Sequence, residues 1–278
     1  MDPLLAAALA AGGLASLAAG VMSPLVVASG SVFLAVEMVH AVLAAGVVGG
    51  LAFALGWRIP PIAVAALVVV LLSLFATALM ELGMEADTAV GVTAFLSAVI
   101  VALGLYALVR VDPTGGSVVT GLLVGNAFLV SRTDLQGLLA VAAIVAAAVY
   151  LFGREIAYVY FDPESSEVAG VRTGAYRALL NSLVAITALG LTYVLGVLMA
   201  HIILVAPGVA AHRSARRSIS SLLAASVGAS LTAVLSAVAL AWETGLNAAA
   251  ASGITVSIVF LAMLAAARLA GRGGGRGP

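Results

Sequence analysis

Phe161-Asp162-Pro163-Glu164-Ser165-Ser166-Glu167-Val168-Ala169-Gly170-Val171-Arg172-Thr173-Gly174-Ala175-Tyr176-Arg177 is a short stretch of mixed charge set between apolar runs. Those runs are long enough to cross a lipid bilayer, and the rest of the composition agrees with them. Of 278 residues, 64% are hydrophobic and 9% charged, whereas a soluble domain carries about a quarter charged residues. The outer surface therefore faces something other than water. A hydrocarbon core of about 30 Å calls for roughly 20 apolar residues per helix, so the length allows eight to ten crossings. Only helices or closed barrels satisfy the backbone in lipid. Continuous Ala/Leu/Val runs lack the alternation of a barrel. The chain reads as an all-α integral membrane protein, a polytopic bundle of about 8–10 transmembrane helices with two of them short or broken.

Outward from residues 161–177, apolar runs fall at about 4–29, 32–56, 61–81, 88–109, 117–131 and 135–153 on the N-terminal side. On the C-terminal side they fall at 178–196, 196–212, 219–242 and 250–270. The breaks carry turn chemistry, as in Ser29-Gly30-Ser31, Arg58-Ile59-Pro60-Pro61 and Asp112-Pro113-Thr114-Gly115-Gly116. Residues 1–270 read as a single transmembrane domain and 271–278 as a flexible Gly/Arg tail. Met1-Asp2-Pro3 lacks the positive region of a signal peptide, so Leu4 onward is expected to be the first span.

Arginine placement predicts orientation, because cytoplasmic loops are enriched in basic residues. With ten crossings and both termini cytoplasmic, Arg58, Arg110, Arg154, Arg172, Arg177, Arg213, Arg216, Arg217, Arg268, Arg272 and Arg276 fall inside and Arg132 alone falls outside. The same arrangement puts Glu81, Glu85, Asp87, Asp134 and Glu243 at the outer face.

Several function classes are excluded. With no cysteine there is no disulfide or thiolate site. All twelve basic residues are arginine, so no Gly-Lys-Ser/Thr is present to hold nucleotide phosphates, and any nucleotide drive comes from another subunit. A net charge of zero gives no field for nucleic acid. No catalytic constellation appears, and no enzyme activity is expected of the chain itself.

An ionisable residue inside a span is costly and therefore a functional candidate. Glu37 and His40, three residues apart, share one helix face. Two readings fit them: a partial site for a divalent cation, or a hydrogen-bonded pair holding two helices together. The third candidate is His201, in Gly196-Val197-Leu198-Met199-Ala200-His201-Ile202-Ile203-Leu204-Val205-Ala206-Pro207-Gly208. Pro207 withholds a backbone N–H and crowds the carbonyl of Ile203, so a helix break is expected at Pro207 and Gly208. Such breaks are tolerated in membranes where they line a cavity, and transporters bind their substrates at them. Glu37, His40 and His201 are all expected in the outer halves of their spans, where they could converge. His212, beside Arg213, reads as an interfacial residue.

The polar stretch, together with Gly196-Val197-Leu198 and Leu204-Val205-Ala206-Pro207-Gly208-Val209-Ala210-Ala211, resembles the permease subunits of bacterial and archaeal ABC importers for zinc, manganese and iron. Those proteins look like F-D-x-E-x-A-x-x-x-G followed by V-G-x-L-L-x-x-x-L-L-x-x-P-A-A-x-A. Asp87-Thr88-Ala89-Val90-Gly91 resembles the family's D-T/S-A-I-G. Leu123-Val124-Gly125-Asn126 with Val130-Ser131-Arg132-Thr133-Asp134-Leu135 resembles L-F-G-x-x-L-x-V-S-x-x-D-L, and His40-Ala41-Val42-Leu43 with Gly46 resembles H-A-V-L-x-G. The chain departs from the pattern in its second span. The family's G-D-x-L-x-H-A places an acid four residues before the histidine, where this chain has Val36, and its nearest acid is Glu37. At His201 the family usually carries a small or hydroxyl residue.

The resemblance implies a type II importer permease that moves a divalent metal ion inward by alternating access. It implies a second copy of the chain, a cytoplasmic ABC ATPase dimer that supplies ATP hydrolysis and an extracytoplasmic substrate-binding protein. The chain itself would sit in the lipid of the cell membrane with no covalently bound cofactor. Residues 161–177 would form the ATPase-coupling loop, with Asp162, Glu164, Glu167, Ala169, Gly170 and Arg172 as its contact residues. Among the metal ligands, the resemblance implies His40; Glu37 would substitute for the family's acid, and His201, an extra imidazole, would compensate for it. Import of a metal chelate of siderophore or corrinoid type, or a stand-alone ion-coupled carrier using Glu37, are the alternatives.

Overall fold

The computed structural model describes residues 2–125, 127–214 and 218–273. Asn126, Arg216, Arg217 and the last five residues of the expected tail lie outside them. The described chain is helical and, within those residues, has no strand: α1 (Pro3–Ala28), α2 (Val32–Ala54), α3 (Pro61–Glu81), α4 (Ala86–Val111), α5 (Gly116–Val124), α6 (Arg132–Phe161), α7 (Pro163–Val168), α8 (Thr173–Leu195), α9 (Val197–Ser214), α10 (Ile219–Thr244) and α11 (Ala248–Gly273). Eight of these are long and apolar enough to span a membrane, and α9 is a shorter apolar helix.

Local chemistry sets the boundaries. Pro3 and Pro61 open α1 and α3 at positions where a missing N–H costs nothing. The Asp2 carboxylate accepts from the Leu4 N–H at 2.8 Å. Ser131 and Asp134 form a reciprocal capping box that starts α6, and Ser218 with Ser221 does the same for α10. Gly245, in the left-handed region, ends α10. The helix α11 runs through Gly273, so the first residues of the expected tail are helical backbone.

The helices α2 and α8 are the most enclosed, whereas α4 and α6 are open along most of their length. In lipid, association relies on close packing rather than on the hydrophobic effect, and small residues permit it. A Cβ on Gly20 of α1 would lie 2.6 Å from the Val227 Cα of α10, so these two backbones touch.

The topology differs from the ten-crossing expectation in two respects. The run at 117–131 does not cross. Its helix, α5, has nine residues, about 14 Å at 1.5 Å each, against a core of about 30 Å. Every segment before it is therefore inverted relative to the ten-crossing expectation. The Arg177–Glu81 ion pair (3.4 Å) shows this directly, since it joins the start of α8 to the end of α3. Glu81, Glu85 and Asp87 thus lie at the same end of the bundle as the 162–172 turn, not at the opposite face. The two termini lie at opposite ends, because α1 runs antiparallel to α10 (Gly12 beside Val234, Gly20 beside Val227) and α10 antiparallel to α11 (Thr255 Oγ1 to the Ala233 carbonyl, 2.8 Å). Arg58, Arg110 and Arg132 sit towards the N-terminal end of the bundle and Arg154, Arg172 and Arg177 towards the other.

Candidate functional site

The helix that carries His201 starts where two helix ends cross. Gly125 closes α5 at φ 82°, ψ 158°, and Gly196 closes α8 at φ 79°, ψ 161°. A Cβ on Gly196 would stand 2.6 Å from the Gly125 nitrogen, and one on Gly125 would stand 2.5 Å from the Leu195 carbonyl carbon. The chain then re-enters helix at Val197 and turns His201 towards α2.

There His201 meets His40. His201 Nε2 lies 3.3 Å from His40 Nδ1, with the ring centroids 4.6 Å apart and the planes tilted by 52°. The Val36 carbonyl accepts from His40 Nδ1 at 3.1 Å. Within the single chain His40 is exposed and His201 half-buried, so the pair is open to a ligand.

Glu37 does not join them. Its helix neighbour His40 faces α9, while the buried Glu37 carboxylate reaches α4 and accepts from Ser97 Oγ at 2.9 Å. Among the described residues no group of three His, Cys, Asp or Glu side chains is close enough to share a cation. The expected convergence is realised for two of three residues. Ser97 was invisible in the sequence, a small hydroxyl like Thr88 and Thr93 in the same run, with nothing to mark it as a partner. Removing it leaves a buried carboxylate oxygen without a donor, at a cost of about 1–3 kcal/mol. Ser97→Ala is expected to lower the thermal unfolding temperature of the purified chain while Ser220→Ala, at an exposed position, leaves it in place.

The break expected at Pro207 and Gly208 is not there. Helix α9 continues through Pro207. Ser23 of α1 inserts its hydroxyl beside the proline, donating to the Val205 carbonyl (3.1 Å) and accepting from the Gly208 N–H (2.8 Å). A neighbouring side chain thus ties the backbone on either side of the proline to α1, and the interruption falls at Gly196 instead. His212 reaches the Pro24 carbonyl at 3.2 Å, so it ties α9 to α1.

At the far end, α7 forms a compact turn. The Asp162 carboxylate caps it by accepting from the Ser165 N–H (3.0 Å), and its bonding to Ser165 holds this carboxyl below the usual range. Ser166 is buried and donates to the Asp162 carbonyl (2.7 Å), and Thr173 donates to Glu167 (3.1 Å). Asp162 and Glu167 therefore build the turn from within. Glu164, Ala169, Gly170 and Arg172 are exposed. So is Val168, at 91%, an apolar side chain on a polar turn that the sequence reading passed over. Beside the turn, a cavity of about 390 Å³ is lined by Asp87, Arg177 and Asn181 among others.

The matches to known proteins bear on this arrangement. A profile of the ABC 3 transport family covers residues 1–268. The chain belongs to the ABC 3 transport family. It is a multi-pass membrane protein of that family. Among its relatives is a probable metal transport system membrane protein of Thermotoga maritima, 26% identical over 194 residues, which are 69% of this chain and 65% of the relative. The manganese transport system membrane protein MntC of Halalkalibacterium halodurans is 28% identical over 131 residues, 47% of this chain and 44% of the relative. The matched stretches thus span under two thirds of either relative. The fold is that of PsaBC from Streptococcus pneumoniae, solved in complex with a Fab, with TM-score 0.80 at 23% identity over 95% of this chain and 91% of that one.

Proposed function

We propose that this ABC 3 family chain is the membrane permease subunit of an ATP-driven importer that moves divalent metal ions into the cytoplasm by alternating access. The observation that carries the reading is the meeting of His40 and His201, on helices remote in sequence, as an open pair of cation-binding side chains. The names of the relatives, both metal transport system membrane proteins, support the substrate class. Two copies of the chain frame the pathway. A cytoplasmic ATPase dimer seats on the turn around α7, and a substrate-binding protein delivers the ion at the opposite end. In this orientation the N-terminus is extracytoplasmic and the C-terminus cytoplasmic. With no lysine in the chain, the phosphate-binding loop belongs to the ATPase partner. Glu37, buried against Ser97, is set apart from the open pair, which speaks against a carrier driven through that carboxylate.

Rigid-body motion of the ATPase reaches the spans through α7, which joins α6 to α8. Its exposed apolar residue, Val168, is the seat of contact, flanked by Glu164 and Arg172. Val168→Asp places a charge in that dry contact. It should abolish co-elution of the permease with its ATPase while the free permease keeps its elution volume and melting temperature. Co-elution of the variant with ATPase at wild-type stoichiometry would remove α7 from the coupling role.

A further inference from the structure

Building on the transport reading, we propose that His201 sets which ions the pathway accepts. With His40 and the Val36 carbonyl it forms a nitrogen-rich cradle without a carboxylate, suited to late first-row divalent ions such as cobalt, nickel and zinc and poorly suited to manganese. Three observations lead there. The first is a distance. Two imidazole nitrogens bound to one tetrahedral ion at about 2.0–2.1 Å each lie about 3.3–3.4 Å apart, and His40 Nδ1 and His201 Nε2 are 3.3 Å apart already.

The second is the third donor. The Val36 carbonyl oxygen, 3.1 Å from His40 Nδ1, adds an oxygen donor beside the two rings. Val36 contributes its backbone here, having no acid to offer. An ion in the cradle replaces the hydrogen bonds that now join these groups. His40 binds it through Nδ1 and carries its ring proton on Nε2, a change of tautomer with no net loss of a proton. Water, or the other copy of the chain, supplies the remaining ligands.

The third is the fate of the nearest carboxylate. Glu37 is buried and its carboxylate is held by Ser97 on α4, so it brings no oxygen to the pair. Manganese stands lowest in the divalent series and prefers oxygen donors, whereas imidazole suits the later ions. A neutral set of two nitrogens and one carbonyl widens that gap. His201 is the residue that makes the set nitrogen-rich, because it adds the second imidazole.

The test needs neither ATP nor a partner protein. The purified chain in detergent is titrated with cobalt(II), whose ligand-field absorption reports nitrogen coordination, and the bound cobalt is then displaced with zinc or manganese. A visible cobalt band is expected. Displacing it should take on the order of 100-fold more manganese than zinc. His201→Asp should narrow that ratio at least about tenfold by adding an anionic oxygen donor, and Glu37→Gln should leave it unchanged. Should His201→Asp fail to fold, His201→Asn, which also exchanges a nitrogen for an oxygen donor, takes its place and should narrow the ratio as well. The proposal is overturned by an absent cobalt band, by manganese displacing cobalt as readily as zinc does, by a folded His201 variant that keeps the wild-type ratio, or by Glu37→Gln erasing the preference. Any of these would still leave ATP-driven transport standing, since that is read in a separate assay.

Discussion

A Gly196→Ala variant is expected to yield almost no folded protein, and Gly125→Ala the same. Both glycines hold a φ near +80° with extended ψ, a region that any side chain adopts only at a cost of about 1–3 kcal/mol. The added Cβ at Gly196 would also stand 2.6 Å from the Gly125 nitrogen and the Leu123 oxygen. These are backbone atoms of another helix end, and no rotamer change moves them away. Relief requires the ends of α5 and α8 to separate, which displaces the start of α9 and with it His201. Together these terms reach the range that unfolds marginally stable proteins. Gly13→Ala and Gly228→Ala serve as controls, because a Cβ there meets nothing within 4 Å and both positions are in helices. They should match or slightly exceed the wild type, since alanine is favoured over glycine in a helix by up to about 1 kcal/mol. Yield and size-exclusion profile in detergent read the difference. A Gly196→Ala protein with wild-type yield and melting would show that the close approach of Gly125 and Gly196 does not hold these helix ends together.

The second large effect is on transport. His40→Ala should lower ATP-driven uptake of the cognate ion by about 10- to 100-fold, the scale on which metal sites respond when their supporting groups are lost. The variant should still fold and keep the elution volume of the wild type. His40 is exposed in the single chain and carries little of the core, so truncation leaves no buried cavity. Its ring touches His201 and the Val36 carbonyl. The loss therefore falls on the ion and not on stability, and basal ATP hydrolysis by the assembled complex should be unchanged. Uptake kinetics indistinguishable from wild type would take His40 out of the pathway.

Much of the fold was legible because a membrane imposes a single strong rule. Each span announces itself as an apolar run, and the ends of α1, α2 and α3 fall within two residues of the runs read from the sequence. The 117–131 run misled because α5 and the turn after it have the same composition as a span. What stops the helix is the backbone conformation of Gly125, and the chain is rich in glycines that stop nothing. That one misreading reversed every earlier segment and moved Glu81 and Asp87 to the wrong end of the bundle. Near the α8–α9 junction the proline was the visible signal and Gly196 the actual break, while α9 runs on through Pro207 with Ser23 of α1 bonded on either side of it.

The site divides along similar lines. His40 and His201 stood out as ionisable groups in apolar runs, but their contact spans 161 residues of sequence and no local pattern encodes it. Glu37 stood out for the same reason, and spacing placed it beside His40. Spacing fixes where a side chain leaves its helix; the partner that receives it, here Ser97, comes from another span. On α7 the charged residues drew attention, while Val168 is informative only once the turn is folded and the valine is left outside it.

Uptake of a divalent ion into sealed vesicles, measured for the chain reconstituted with an ATPase and a binding protein and for the chain alone, decides whether the chain passes such ions under ATP power supplied by a separate subunit. Accumulation that requires ATP and the ATPase, and that falls when His40 is replaced by alanine, is the predicted result. Accumulation by the chain alone, driven by an ion gradient and indifferent to ATP, would contradict it.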